Sequence, residues 1–405
     1  MRILQICNKA PFPPKDGGCI AMNNLTQGLI DGGHTVKVLA ITTPKHFVEL
    51  NELPADYRAQ TNIELVFIDT AVKPIPALLN LFSGESYNII RFYSKAFEEK
   101  IIEILKRETF DIIQLESLYV SMYTDVIRRH SNAKIVLRAH NVEHRIWERN
   151  AATADNLAEK IYFNLLAKRL KKYESEILHS IDAIAAITKE DAQWFSGQGI
   201  NKPVEIIPFG IDLKKISAEE SITAEHPSVF HIGAMDWQPN VEGIKWFLDH
   251  AWKEVHQQHP ALKLYLAGRG MSEEFKKLDI PNVVVVGEVE NAHWFIRSKG
   301  LMLAPLLSGG GMRVKIIEGM ALGKVIVTTA IGAEGIDCEN NKNILIARDA
   351  AAFVKSINAY VSSQDYLMKI GEDAKRLATQ SYNNSDICRR LASFYQNLHT
   401  GVTNP

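Results

Sequence analysis

The 405-residue sequence has no long apolar run and no excess of one charge. No stretch approaches the roughly 18 to 20 apolar residues that a membrane-spanning helix needs, and the N-terminus lacks the apolar core of a signal peptide. Lys and Arg number 46 against 47 for Asp and Glu. The chain therefore has no net positive charge that would attract nucleic acid or an anionic surface. We expect a protein that is soluble or at most peripheral to a membrane, without a nucleic-acid partner.

Cysteine motifs and dinucleotide motifs are absent too. Cys7, Cys19, Cys338 and Cys388 are scattered without CxxC or metal-ligand spacing, which favours a reducing, cytoplasmic location. Neither half of the chain carries GxGxxG, so a nicotinamide oxidoreductase is not favoured. An anion site in this chain must therefore be formed by a few local residues and cannot be the GxGxxG loop of dinucleotide-binding proteins.

What the chain has instead is a repeated alternation of strand and helix patterns. With 405 residues and 46% hydrophobic content, it is long enough for two α/β domains. We predict a first domain at 1–207, a linker at 208–227, a second domain at 228–380 and a C-terminal helix at 381–405 that can cross back to the first domain. Each domain is expected to hold a doubly wound parallel sheet.

The first domain opens with a strand at 2–7 and a proline-rich loop that ends in Asp16-Gly17-Gly18. A helix pattern follows up to the pair Gly32-Gly33, and then comes the next strand. Loops at the carboxyl ends of parallel strands line binding crevices. Gly17 and Gly18 are therefore candidates for contact with a phosphate or a sugar.

The most informative stretch is Gly309–Ala321, which lies between a predicted strand at 301–304 and a predicted helix at 313–322. Glycines before a helix let backbone N–H groups approach a phosphate, and the helix dipole favours the anion. Arg313 and Lys315 are predicted in the first turn, where a cation is unfavourable unless an anion binds there. Glu318 follows within reach of a sugar hydroxyl.

The motifs of this chain, in the order in which they occur, resemble those of the GT-B-fold, retaining glycosyltransferases of family 4, also called glycosyl transferases group 1. The resemblance covers essentially the whole chain. It depends on the following stretches: Gly17-Gly18, Arg138–Glu143, Ile207–Asp212, Phe230–Asn240, Leu266–Gly270 and Lys315–Thr328.

The resemblance implies two Rossmann-like domains facing a central cleft and transfer of a sugar from a nucleotide-diphosphate sugar, without a metal or other cofactor. It implies that Arg313, Lys315 and the amides of Gly310, Gly311 and Met312 offset the charge of the leaving diphosphate. Glu318 matches the ribose-binding second glutamate of the family's paired-glutamate motif. The first glutamate would fall at Gly310 and is missing, so the donor sugar must be held differently. Arg269 is a further donor-site candidate.

His140 follows the predicted strand at 134–137 and matches the family position that contacts the donor sugar. Its implied role is to bind or orient a sugar hydroxyl rather than to act as a base. Glu116, Arg138 and Glu143 lie near carboxyl ends of strands and are candidates for the acceptor site, although each could instead form a structural ion pair. The acceptor is expected to be a glycan or a lipid-linked glycan.

Helix 159–178 combines several lysines with Ile161, Phe163, Leu165, Leu166 and Leu170. Such a basic amphipathic helix can lie on an anionic membrane, here on its inner face, although a solvated helix looks the same. Two other functions stay open at this point. One is a nucleotide-sugar epimerase of the same architecture, and the other is a non-catalytic nucleotide-sugar-binding protein.

Overall fold

A computed structural model describes residues 1–71, 80, 83–154, 156–217 and 222–401. The chain divides into two units: residues 1–209 with the C-terminal segment from Ser385, and Gly210–Asn384. Parts of the predicted domains lie outside the described residues, namely 72–79, 81–82 and 155 in the first domain, 218–221 in the linker, and 402–405 at the C-terminus. From Gly210 onward the predicted linker belongs to the second unit, where the N–H of Ile211 donates to the carbonyl of Tyr382.

The first unit contains, among its described residues, a sheet of seven parallel strands. In chain order they are β1 (Arg2–Cys7), β2 (Thr35–Thr42), β3 (Glu64–Phe67), β4 (Ile112–Glu116), β5 (Lys134–Ala139), β6 (Ala183–Ala186) and β7 (Val204–Ile206). Their order in the sheet is β3-β2-β1-β4-β5-β6-β7, so the chain reverses direction across the sheet between β1 and β4. In such sheets ligands bind outside the carboxyl ends of the strands at this switch point.

Helices cover both faces of this sheet, which explains why its strands are nearly continuous apolar runs. On β1, Leu4 and Ile6 join the core of one face, while Ile3 and Cys7 join the core of the other. The helices are α1 (Gly17–Asp31), α2 (Ala55–Thr61), α3 (Tyr87–Ile90), α4 (Lys95–Arg107), α5 (Thr124–His130), α6 (Glu143–Thr153), α7 (Leu157–Ile177) and α8 (Lys189–Ser196).

The second unit repeats the same topology with six parallel strands in its described residues. They are β8 (Ser228–Ile232), β9 (Lys263–Ala267), β10 (Val283–Gly287), β11 (Leu301–Ala304), β12 (Ile326–Thr328) and β13 (Leu345–Ile346). The sheet order is β10-β9-β8-β11-β12-β13, which puts the switch point between β8 and β11. The helices are α9 (Leu213–Ser217), α10 (Gln238–Phe247), α11 (Lys253–Gln258), α12 (Glu273–Lys276), α13 (Ala292–Ser298), α14 (Val314–Ala321), α15 (Ala350–Ser362) and α16 (Gln364–Ser381).

The last helix, α17 (Asn384–Thr400), packs on the first unit. Its buried residues Ile387, Cys388, Leu391 and Tyr395 lie in the same core cluster as Ile3 of β1. The first unit is thus completed by a helix that follows the whole second unit in the sequence.

Local structure departs from the sequence-based expectation in several helices. The apolar spacing at 117–130 predicts one helix, but the structure has a 3₁₀ segment, Leu118–Tyr123, followed by α5. The spacing at 241–258 likewise predicts one helix, which a π turn at Leu248–Trp252 interrupts. Helix α6 was not predicted, because its sequence EHRIWERNAAT is mostly polar. In the part of the chain that the structure describes, no helix is long and apolar enough to cross a membrane.

Candidate active site

The glycine loop of the second unit follows β11 at the switch point. Gly309 and Gly311 have positive φ angles of 98° and 78°, which glycine adopts without the strain that a Cβ would add. The helix α14 then begins at Val314, so Arg313 is its N-cap and Lys315 lies in its first turn. The glycine loop therefore follows the carboxyl end of β11, and the two predicted cations lie at the start of α14.

Lys315 is held by a neutral partner. Its Nζ donates to Oδ1 of Asn240 at 2.7 Å, and Asn240 Nδ2 donates to the carbonyl of Ala234 at 2.8 Å. Burial, and secondarily the charge of Arg313, lowers the pKa of Lys315 to about 7. Within the described residues Lys315 pairs with no carboxylate. A cation that has lost part of its hydration in this way gains from an anionic ligand.

Arg313 is buried and lies against Trp237, with its guanidinium carbon 5.2 Å from the ring centroid. Its Nη1 donates to the carbonyl oxygen of Gly310. Arg313 therefore ties the glycine loop to the start of α14 as well as bringing a second positive charge there. Met312 is buried, and Gly310 and Gly311 are partly exposed.

The other two donor-site candidates in this unit have partners of their own. Glu318 is partly buried on α14, and its Oε1 lies 3.5 Å from Nε2 of His293. Arg269 follows β9, and its Nη2 lies 3.7 Å from Oδ2 of Asp236. Glu318 shares α14 with Lys315, whereas the ion-pair partner of Arg269, Asp236, lies after β8.

In the first unit, Gly17 and Gly18 form the start of α1. The preceding residue, Asp16, caps this helix because its Oδ1 accepts from the N–H of Cys19 at 2.9 Å. Lys9 Nζ lies 2.7 and 2.9 Å from the two oxygens of Asp16, and His46 Nε2 lies 3.0 Å from Oδ2. These donors hold the pKa of Asp16 far below its usual range, although burial opposes them. A carboxylate of the protein itself thus already lies at this helix start.

His140 follows β5 directly, with a side chain 14% exposed, and its Nε2 lies 2.7 Å from Oε2 of Glu116. Glu116 ends β4 and is fully buried. Its other oxygen, Oε1, accepts from Nε2 of Gln5 at 2.8 Å and from Nε2 of Gln114. Burial opposes ionisation, but the hydrogen bond from His140 leaves the pKa of Glu116 lowered.

The predicted acceptor residues therefore have partners inside the first unit. Arg138 is buried and donates to the carbonyls of Ala185, Ile207 and Pro208. Glu143 Oε2 accepts from the hydroxyl of Tyr119 at 2.8 Å, and burial raises the pKa of Glu143 to about 7. Direct contact of Glu116, Arg138 or Glu143 with an acceptor would require each to leave these partners.

Several residues of the site were not predicted. Gln5 and Gln114 are polar side chains in the middle of buried strands, a pattern that signals an internal polar network. Asn240 ends the stretch Phe230–Asn240, and its sequence position does not indicate that it contacts Lys315. Tyr395 reaches Gln114 from α17, 281 residues away in sequence, and no local pattern could have indicated that contact. Within the described residues no group of three His, Cys, Asp or Glu side chains could hold a metal ion.

Two family models match consecutive parts of the chain. One, described as Glycosyltransferase Family 4, matches residues 17–215, and the other, Glycosyl transferases group 1, matches residues 226–363. Sucrose-phosphate synthase from Thermosynechococcus elongatus has the same fold, with a TM-score of 0.69, 15% identity, and coverage of 99% of this chain and 100% of that one. The chain belongs to the GT-B glycosyltransferases.

Two further proteins are similar to this GT-B glycosyltransferase over nearly its whole length. The structure of Anabaena HepE in complex with UDP has a TM-score of 0.65 and 12% identity, and the match covers 98% of this chain and 100% of that one. A protein from the cps region of Klebsiella pneumoniae, described as an uncharacterized 44.6 kDa protein, is 23% identical over 401 residues, which are 95% of this chain and 97% of its own. The activity of this GT-B glycosyltransferase is sugar transfer from a nucleotide sugar.

Proposed function

We propose that this enzyme is a retaining, metal-independent hexosyltransferase that acts in polysaccharide biosynthesis. The donor is a nucleotide-diphosphate sugar, and the acceptor is a glycan or a lipid-linked glycan on the cytoplasmic side of a membrane. Solved structures of the similar Anabaena HepE hold UDP and UDP-glucose, which makes uridine nucleotides the first donors to test.

The observation that carries the proposal is the environment of Lys315. Its ammonium group lies at the switch point of the second sheet, next to Arg313 and a glycine loop, with a neutral amide as its hydrogen-bond partner. A diphosphate bound there would accept hydrogen bonds from the loop amides and from both cations, and would be stabilised by the dipole of α14. These groups would offset the charge that develops on the leaving diphosphate, a task for which other transferases use a metal ion.

Glu318 would bind the ribose hydroxyls, since a carboxylate accepts from two donors at once. His140 of the first unit would contact a hydroxyl of the donor sugar. Gly310 stands where the first glutamate of the family's motif is expected, so the amides of Gly310, Gly311 and Met312 would take over part of the sugar contact. Retention would follow from attack of the acceptor on the face from which the diphosphate leaves.

Thermal-shift measurements with UDP, GDP and ADP and their sugar conjugates test the nucleotide site. One base should raise the melting temperature of the wild type, because a ligand that binds only the folded state stabilises it. Glu318→Ala should lose that shift, whereas the control Glu273→Ala, on the exposed helix α12, should keep it. No shift with any nucleotide at saturating concentration would contradict the proposal.

Activity with an added acceptor separates the alternatives. Release of nucleoside diphosphate that depends on the acceptor supports transfer, and the anomeric configuration of the product, read by NMR, tests retention. An altered free nucleotide sugar would instead indicate an epimerase. Binding without any turnover would indicate a non-catalytic protein. Unchanged activity in EDTA is expected, and its loss would contradict metal independence.

For the proposed peripheral membrane contact, the exposed surface of α7 is the candidate. The predicted apolar face of helix 159–178 does not provide that contact, since Leu166 and Leu170 are both buried and Leu170 belongs to the core of the first unit. Leu157 and Ile161, however, are 72% and 61% exposed on the first turns of α7. Lys168 and Lys172 continue the same face at helical spacing and are exposed. We take this face, Leu157, Ile161, Lys168 and Lys172, as the membrane-contact surface.

A further inference from the structure

A buried hydrogen-bond network connects His140 with helix α17. It contains Glu116 at its centre, Gln5 and Gln114 beside it, and the hydroxyl groups of Thr26 and Tyr395 at its outer ends. Thr26 Oγ1 donates to Oε1 of Gln5 at 2.6 Å, and Tyr395 donates to Oε1 of Gln114. All these side chains apart from His140 are buried, with exposures of at most 1%.

The carboxylate of Glu116 sets the direction of the hydrogen bonds that it accepts. An ionised carboxylate accepts hydrogen bonds and donates none, so both glutamines must present their NH₂ groups to Glu116. Their carbonyl oxygens then face outward and accept from the two hydroxyls. The phenol of Tyr395 is buried and needs an acceptor for its hydrogen, and Oε1 of Gln114 is that acceptor. If Gln114 turned over, the O–H of Tyr395 would lose this partner.

The same logic applies to the third donor, His140. Since Oε2 of Glu116 only accepts, the proton between the two groups must be on Nε2 of the imidazole. In the neutral ring, Nδ1 then has a free lone pair, and no group in the described part of the chain hydrogen-bonds it. A hydroxyl group can donate to that nitrogen.

We propose that Glu116 is a positioning residue that keeps a proton on Nε2 of His140 and leaves Nδ1 to accept a hydrogen bond from a hydroxyl of the donor sugar, and that Tyr395 fixes the orientation of Gln114 beside it. The inference rests on the proposed function for its substrate, but the position of the proton is a property of the free protein. Helix α17 would thereby contribute to the active site without touching a ligand.

Glu116→Gln is the sharpest test. Oε1 of the new amide can still accept from Gln5 and from Gln114, whose orientation Tyr395 maintains. Its NH₂ group then faces His140 and donates, so Nε2 must become the acceptor and the proton must move to Nδ1. The variant should therefore reverse the tautomer of one histidine with little change in volume.

Nitrogen-15 NMR of the histidine rings shows directly which nitrogen of His140 carries the proton. The variant His140→Gln identifies its signal among those of the 13 histidines. We expect the proton on Nε2 in the wild type and in the control Glu64→Gln, whose carboxylate pairs with Lys37 and Arg107 outside the network. We expect it on Nδ1 in Glu116→Gln. Tyr395→Phe keeps the carboxylate of Glu116 and should leave the proton on Nε2. In Glu116→Gln/Tyr395→Phe, where no phenol orients Gln114, we expect a mixture of the two forms.

Binding supplies the second readout. In Glu116→Gln the affinity for the nucleotide sugar should fall about tenfold, the value of one hydrogen bond, while the affinity for the nucleoside diphosphate alone stays the same. A wild-type proton on Nδ1, or an unchanged tautomer and unchanged sugar affinity in folded Glu116→Gln, would overturn the inference. Absence of nucleotide binding by the wild type would instead contradict the proposed function, and the NMR result would stand apart from it.

Discussion

Nζ of Lys315 lies 2.7 Å from Oδ1 of Asn240, and this pair joins the first turn of α14 to α10. The amide accepts a hydrogen bond but offers no negative charge. Burial lowers the pKa of the ammonium group to about 7, so near neutral pH a substantial fraction of Lys315 is uncharged before any ligand binds. The charge state of the proposed diphosphate site therefore depends on pH in the physiological range.

Binding of the donor should take up a proton at pH 8. A diphosphate favours the charged form of Lys315 and raises its pKa, so above about pH 7 binding requires protonation. Affinity should be highest below pH 7 and fall by up to about tenfold per unit above it. Calorimetry of nucleotide-sugar binding in buffers of different ionisation enthalpy should give close to one proton at pH 8 and close to none at pH 6.

The matched variant for this experiment is Lys315→Arg, since arginine stays charged throughout the range. It should retain binding but take up no proton at pH 8, and Lys315→Met should bind weakly at both pH values. Equal proton uptake by the wild type and Lys315→Arg would show that another group titrates.

Glu143→Gln should stabilise the protein above neutral pH. The carboxyl has a pKa of about 7 in the folded protein against an ordinary 4.5, because it is buried. Below pH 4.5 it is protonated in both states, and between 4.5 and about 7 only the unfolded chain loses the proton. The folded state thus becomes less stable by as much as about 3 kcal/mol as the pH rises.

Urea denaturation at pH 4.5 and pH 8 measures this effect. The free energy of unfolding of Glu143→Gln should exceed that of the wild type at pH 8 and come close to it at pH 4.5. The amide can be accommodated, because Oδ1 of Asn141 beside it has no hydrogen-bond partner among the described residues and can accept. A variant that is less stable at both pH values would contradict the pKa of Glu143.

Gly243→Ala should destabilise the second unit. A Cβ on Gly243 of α10 would lie 2.1 Å from the carbonyl oxygen of Pro305, in the chain that leads from β11 to the glycine loop. Backbone atoms at that distance must move apart, which typically costs about 1 to 3 kcal/mol. Chemical denaturation should show the loss, and nucleotide affinity should fall with it. Gly32→Ala is the control, since its nearest neighbour would be 3.3 Å away.

Replacement of the exposed apolar residues of α7 should weaken membrane binding. Each large aliphatic side chain contributes on the order of 1.5 to 3 kcal/mol when fully buried in an apolar phase. Leu157→Ser/Ile161→Ser should therefore reduce flotation with vesicles that contain anionic lipid by tenfold or more. Met368→Ser, 57% exposed in the second unit, is the control. Wild-type flotation that is absent, or independent of anionic lipid, would contradict the proposed membrane contact.

Much of the fold could be predicted because it depends on local pattern. Short apolar runs such as Leu301–Ala304, alternating with helical periodicity, indicate buried parallel strands with helices on both faces. The glycine loop and the cations around Lys315 could be identified for the same reason: all of them lie within one strand, loop and helix. The polar helix α6 and the two-residue strand β13 could not be predicted, since neither has a periodic apolar signal.

The sequence by itself determined the two α/β halves and the residues at the ends of their strands, because backbone hydrogen bonding and hydrophobic periodicity act over a few neighbours. Only the tertiary structure decided what those residues contact. Glu116, a candidate for the acceptor site because it ends a strand, is buried against His140. Tyr395 carries no local signal, and yet α17 places it on Gln114. Such contacts depend on which elements pack together, since a buried polar group takes its partner from any part of the chain that the fold brings near.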